Sequence, residues 1–131
     1  MKLGRVDHVG VLVEDLDASK MFLETVFGFH EVRTVELDDL RGVFLASGDV
    51  TVELVWIRDG ATRAARLDGV DRRLDHLAVS VPDLGRAIDE LADAGVKTSP
   101  PADTGAYVTT FTDPATSDSI RYQLVEYTTP G

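Results

Sequence analysis

Residues Arg5-Val6-Asp7-His8-Val9-Gly10-Val11-Leu12-Val13 are echoed 68 residues further on by Arg73-Leu74-Asp75-His76-Leu77-Ala78-Val79-Ser80-Val81. Both stretches are short, apolar and rich in β-branched residues. Both carry Asp-His at the same place and run on into Asp-Leu, as Asp15-Leu16 and Asp83-Leu84. Such self-similarity marks a chain built from two equivalent units, each of which must place this strand in the same way. Two of the three histidines, His8 and His76, hold equivalent positions in the repeat. Two equivalent strands can therefore bring two imidazoles to one shared site.

Period-two alternation sorts each strand into faces. Val6, His8, Gly10 and Leu12 share one side and Val9, Val11 and Val13 the other. In the second copy His76, Ala78 and Ser80 oppose Leu77, Val79 and Val81. The bulky side is expected to pack on a helix, and Gly10 and Ala78 leave room beside each imidazole. Asp15 and Asp83 are good N-caps, the second preceded by Pro82, and the helices they open stop at Gly28 and Gly95. Strands are then expected at about 30–36, 41–47 and 50–57 in the first module, and at about 96–98, 107–112 and 119–127 in the second. The last strands repeat as well: Thr51-Val52-Glu53-Leu54-Val55 lies 70 residues before Arg121-Tyr122-Gln123-Leu124-Val125. Each module reads β-α-β-β-β, with a polar ligand-type residue on its first strand and another on its last. The expectation is a single domain over 1–131, with module one at about 5–57, a linker at about 58–73 and module two at about 74–127.

Composition narrows the function. The net charge of −10 disfavours nucleic acid and anionic lipid as partners, because both need a basic face. Five arginines (58, 63, 66, 72 and 73) cluster in the linker, either as a phosphate-binding patch or as a solvated connection. Without cysteine there is no disulfide framework, thiolate metal site or cysteine nucleophile. No apolar run approaches the roughly 20 residues of a membrane helix, so a cytoplasmic location is expected.

The phrases Val6-Asp7-His8-Val9-Gly10-Val11, Glu14-Asp15-Leu16, Val26-Phe27-Gly28-Phe29, Thr51-Val52-Glu53-Leu54-Val55 and Leu74-Asp75-His76-Leu77-Ala78-Val79 resemble the vicinal oxygen chelate superfamily. That group includes glyoxalase I, methylmalonyl-CoA epimerase, extradiol dioxygenases, fosfomycin-resistance enzymes and bleomycin-binding proteins. The resemblance is strongest to the epimerase–glyoxalase branch. It implies an α+β fold of two tandem βαβββ modules forming a cup-shaped mixed sheet, a central metal site and a homodimer.

Carried over residue by residue, the family's metal ligands fall on His8, Glu53, His76 and Gln123. Two neutral imidazoles, a carboxylate and an amide oxygen suit a divalent transition metal (Zn, Ni, Co, Mn or Fe) better than a hard ion such as calcium. The implied activity is a metal-dependent isomerase, epimerase or lyase that stabilises an enediolate or enolate of a small carbonyl or acyl-thioester substrate. The alternatives are a non-enzymatic drug or natural-product binding protein, or a dioxygenase or transferase on the same fold. The epimerase order on these strands is His, Gln, His, Glu, so acid and amide are exchanged here. An amide cannot accept the proton that a carboxylate can. The base is then expected at Glu53, with Glu36, Asp38 and Asp39 as further candidates. Glu126 faces away from Gln123 on its strand, and His30 reads as a surface residue. Phe44, Trp56, Tyr107 and Phe111 would line a cup that stacks flat ligands, or pack the core.

Overall fold

A computed structural model describes residues 1–128. The elements run β1 (Val6–Val13), α1 (Leu16–Phe27), β2 (His30–Glu36), β3 (Leu40–Ser47), β4 (Val50–Ile57), α2 (Gly60–Leu67), β5 (Arg72–Ser80), α3 (Leu84–Asp93), β6 (Ala102–Asp103), β7 (Tyr107–Phe111) and β8 (Tyr122–Tyr127). The order β1-α1-β2-β3-β4 is repeated as β5-α3-β6-β7-β8, the two tandem βαβββ modules of an α+β protein. The chain divides into two compact units, one of His8–Asp75 and one of Met1–Asp7 with the chain from His76 onward. Among the described residues no helix is long and apolar enough to cross a membrane.

In the first unit the strand order is β2-β3-β4-β1. β1 and β4 are parallel, and the other neighbours are antiparallel. The parallel pair is possible because a helix and two strands intervene, long enough to return the chain to the same end. The side away from His8 packs on α1 as alternation predicts: Val13, Val43, Leu45 and Leu54 are buried beneath Leu16, Leu23, Phe29 and Trp56. Asp15 caps α1 by accepting from the Ala18 N–H at 3.0 Å. Gly28 ends it at φ 71°, a left-handed conformation that costs a glycine nothing.

The segment expected as a plain linker contains α2. Asp59 caps it, accepting from the Thr62 N–H at 2.9 Å and the Thr62 hydroxyl at 2.7 Å. Ala61, Ala64 and Ala65 are strong helix formers, and Leu67 at its end is buried with Leu12, Val55 and Ile57. Those three alanines among arginines are the helix signal that the charge pattern obscured.

The second unit has the order β5-β8-β7-β6, with β5 and β8 parallel. α3 is capped by Asp83, which accepts from Arg86 N–H at 3.0 Å. Its Leu84, Ala87, Ile88 and Leu91 pack with Val79, Val81, Val108 and Leu124. The strand expected at 96–98 is reduced to one bridge, Thr98 to Thr112, and β6 forms instead at Ala102–Asp103. Pro100 and Pro101 lie between the two and offer no N–H to a ladder. The last strand starts at Tyr122 rather than at 119. A short 3₁₀ turn, Pro114–Thr116, precedes it, and Asp118 and Ser119 take φ of 59° and 65°, which breaks the extended run.

Candidate active site

Each unit holds one histidine and one polar residue on neighbouring parallel strands, in the same register. In the first unit Gly10 of β1 pairs with Glu53 of β4. His8 stands two residues before Gly10 and so on the same face. Its Nε2 is 3.3 Å from Glu53 Oε1, and the residues are 1% and 8% exposed. In the second unit Ala78 of β5 pairs with Gln123 of β8, and His76 stands two residues before Ala78. His76 and Gln123 are 6% and 3% exposed.

The resemblance between the halves extends beyond these residues. Across from Glu53 on β3 is Phe44, and across from Gln123 on β7 is Phe111. Phe44 meets the His8 ring edge-on at 5.0 Å between centroids, and Phe111 meets His76 at 5.4 Å. A guanidinium covers each phenylalanine: Arg33 lies 4.2 Å from the Phe44 centroid and Arg121 4.0 Å from that of Phe111. Each imidazole is thus held against a ring whose π-face is occupied by a cation, a favourable use of the aromatic quadrupole. Sequence reading named Phe44 and Phe111 as possible lining residues but not this arrangement. The available signal was a phenylalanine on the strand before each ligand-type residue.

The halves differ at one register position. Two residues before Phe44 is Gly42, and a Cβ there would collide with Glu53 Oε2 and lie 3.4 Å from its Cδ. The glycine is what lets the carboxylate lie across β3. Two residues before Phe111 is Thr109, whose hydroxyl accepts from Gln123 Nε2 at 3.0 Å and donates to the Leu124 carbonyl at 2.7 Å.

The other candidates lie elsewhere. Glu36 pairs with Arg41, while Arg33 pairs with Phe44 and that residue with Glu53. Three positions along β2 separate Glu36 from the Glu53 row, roughly 10 Å, and the odd step puts it on the opposite face. Its carboxylate binds Arg41 Nε at 2.8 Å and also Arg58 Nη2. Asp38 and Asp39 are exposed in the β2–β3 turn. Glu126 is on the helix side, where its Oε1 accepts from the Leu84 N–H at 2.7 Å. His30 is an exposed strand-end residue. Trp56 packs on the α1 side, and buried Tyr107 stacks edge-on with Tyr127.

The linker arginines are engaged in local structure rather than gathered as a patch. Arg63 binds Glu14 and the Ile57 carbonyl, Arg66 binds Asp75, and Arg58 binds Glu36 and the Leu37 carbonyl.

Tandem βαβββ modules, each with a buried histidine and a buried polar partner on parallel strands, define the class of this protein. The chain belongs to the Glyoxalase/Bleomycin resistance protein/Dioxygenase superfamily, whose family model matches residues 5–116. An uncharacterized Bacillus subtilis (strain 168) protein, YwkD, is 29% identical over 96% of this chain and 99% of its own. The fold is also that of methylmalonyl-CoA epimerase from Mycobacterium tuberculosis, with a TM-score of 0.88 at 24% identity over 97% of this chain and 90% of that one. A Streptomyces coelicolor methylmalonyl-CoA epimerase variant in complex with 2-nitronate-propionyl-CoA matches with a TM-score of 0.85 at 23% identity, over 98% and 100% of the two chains.

Proposed function

We propose that the protein is a metal-dependent isomerase, epimerase or lyase acting on a small carbonyl or acyl-thioester substrate, with His8, Glu53, His76 and Gln123 as ligands of one divalent ion. The observation that carries the proposal is the doubled half-site: the same buried histidine and polar partner, in the same parallel register, once in each unit. A single buried histidine is usually structural. Two equivalent ones, each beside a ligand-type residue, argue for a common purpose.

The donor chemistry fits. Two imidazole nitrogens, one carboxylate oxygen and one amide oxygen suit Zn, Ni, Co, Mn or Fe(II) and leave coordination positions for water or substrate. A bound ion would supply electrostatic stabilisation of negative charge developing on a substrate oxygen. The chain supplies the rest. Phe44 and Phe111 fix the imidazole planes and keep water off them. Glu53 offers the carboxylate that takes a proton from the carbon next to the carbonyl, a task that Gln123 cannot perform. The acyl-CoA ligand of the Streptomyces relative supports the thioester class.

A second copy of the chain is the expected partner. α1 exposes Met21, Phe22, Val26 and Phe27, with Phe22 and Phe27 in contact, an apolar grouping of the kind that marks interaction surfaces.

Elemental analysis of the purified protein beside the His8→Ala/His76→Ala variant tests the metal. About one equivalent of a transition ion in the parent and none in the variant is the expected result. Exchange of a substrate proton in deuterated water then tests the chemistry. A parent that neither carries nor takes up such ions would sink the enzyme reading and leave a ligand-binding protein.

A further inference from the structure

One half-site carries an acid and the other an amide, and the neighbour of each matches that difference. Gly42 pairs with Val55, two residues beyond Glu53, and Thr109 pairs with Val125, two residues beyond Gln123. The two residues therefore occupy equivalent positions.

Thr109 is 4% exposed, and its hydroxyl has one hydrogen to give. That hydrogen goes to the Leu124 carbonyl, at 2.7 Å. Towards Gln123 the oxygen can only accept, and it takes a hydrogen from Nε2 at 3.0 Å.

We propose that Thr109 is a positioning residue that makes position 123 selective for an amide and turns that amide so that its carbonyl oxygen is the donor atom offered to a cation. The second clause rests on the metal reading above. A carboxylate at this place would either face an acceptor oxygen about 3 Å away with no hydrogen between them, or draw the hydroxyl hydrogen off the Leu124 carbonyl, and in a buried setting both are costly. Gly42 has the converse effect. It presents no side chain, and the Glu53 carboxylate lies in the space a Cβ would need. The difference between the halves is thus set on their penultimate strands, and the acid belongs to the first.

The test uses the whole purified chain. In the metal-free protein, solvent exchange of the Gln123 side-chain amide hydrogens, read by NMR, is expected to be about tenfold faster in Thr109→Ala, as for loss of one buried hydrogen bond. Urea unfolding at about pH 8, well above the value of a free carboxyl, is then compared across the parent, Thr109→Ala, Gln123→Glu and the double variant. Thr109→Ala is expected to lower the midpoint more in the parent than in the Gln123→Glu background. A threonine with a merely structural role would lower it equally in both. That outcome, or unchanged amide exchange, overturns the proposal.

Titration with Co²⁺ separates this inference from the one on which it rests. Thr109→Ala is expected to weaken Co²⁺ binding about tenfold through loss of orientation. A parent that binds no Co²⁺ but shows the unequal loss ends the metal reading and upholds the amide selectivity. A parent that binds Co²⁺ as tightly as Thr109→Ala keeps the metal reading and overturns the positioning role.

Discussion

Replacing Gly42 with alanine should disable the site while leaving the fold in place. The added Cβ would collide with Glu53 Oε2, with Cδ at 3.4 Å and Cγ at 3.6 Å behind it. To regain an ordinary contact of about 3.5 Å the oxygen must retreat by about 1 Å. Oε1 rides on the same carboxylate, so its 3.3 Å relation to His8 Nε2 must change as well. Two opposed effects set the stability. Removing a glycine from a strand gains about 0.5–1 kcal/mol, and overfilling a packed region costs about 1–3 kcal/mol. The net loss is expected to be about 0–2.5 kcal/mol, measurable by urea unfolding followed through the single tryptophan, Trp56. Metal affinity should fall roughly 10–100-fold, the usual effect of disturbing what orients a ligand. Gly85→Ala is the control, because the nearest atom to its added Cβ is Asp83 Oδ1 at 3.6 Å, ordinary contact. If Gly42→Ala binds Co²⁺ as tightly as the parent, then the glycine does not serve the carboxylate and the reasoning fails.

Two further predictions concern the surface. The Asp59 carboxyl is held below the ordinary aspartate value, first by the Thr62 hydroxyl, then by the Thr62 N–H, with Arg63 adding to the effect. A depressed folded value means that the capping contribution to α2 is complete above the ordinary aspartate range and disappears as pH falls through the lower folded value. An NMR titration of Asp59 should give a midpoint below that of a free aspartate, and one at or above it would contradict the capping geometry. For the proposed dimer, Phe22→Asp/Phe27→Asp should convert a dimer to a monomer by light scattering while circular dichroism stays unchanged. A parent already monomeric at about 100 μM, well above a typical micromolar dissociation constant, would end that proposal.

The repeat made the modules and both histidines legible, because strand alternation is local and a duplicated strand states it twice. Glu53 and Gln123 followed from the same alternation in the last strands. Residues whose meaning depends on a neighbour across the sheet were not legible. Gly42 and Thr109 acquire their roles only when β3 aligns with β4 and β7 with β8. The loop between the last two strands is longer in the second module, so the equivalence of Phe44 and Phe111 does not show as a fixed offset. Arg33 and Arg121 reach their phenylalanines from different sequence contexts, one on β2 and the other just before β8. α2 is short, and its arginines, which interrupt the alanines, give it the composition of a solvated connection. Pro100 and Pro101 were visible, but the strand after them is two residues long, below what periodicity can detect.

The parallel register of β1 with β4 and of β5 with β8 also limits which insertions and deletions the gene can tolerate. Loss of one codon within β4, ahead of Glu53, would shift every later side chain to the other face. The carboxylate would then enter the layer occupied by Val13, Leu45 and Leu54, and an apolar side chain would take its place beside His8. The same holds for β8 ahead of Gln123. Length changes are therefore expected to accumulate in the exposed turns, such as the segment around Asp118 and Ser119, or to arise within strands two residues at a time.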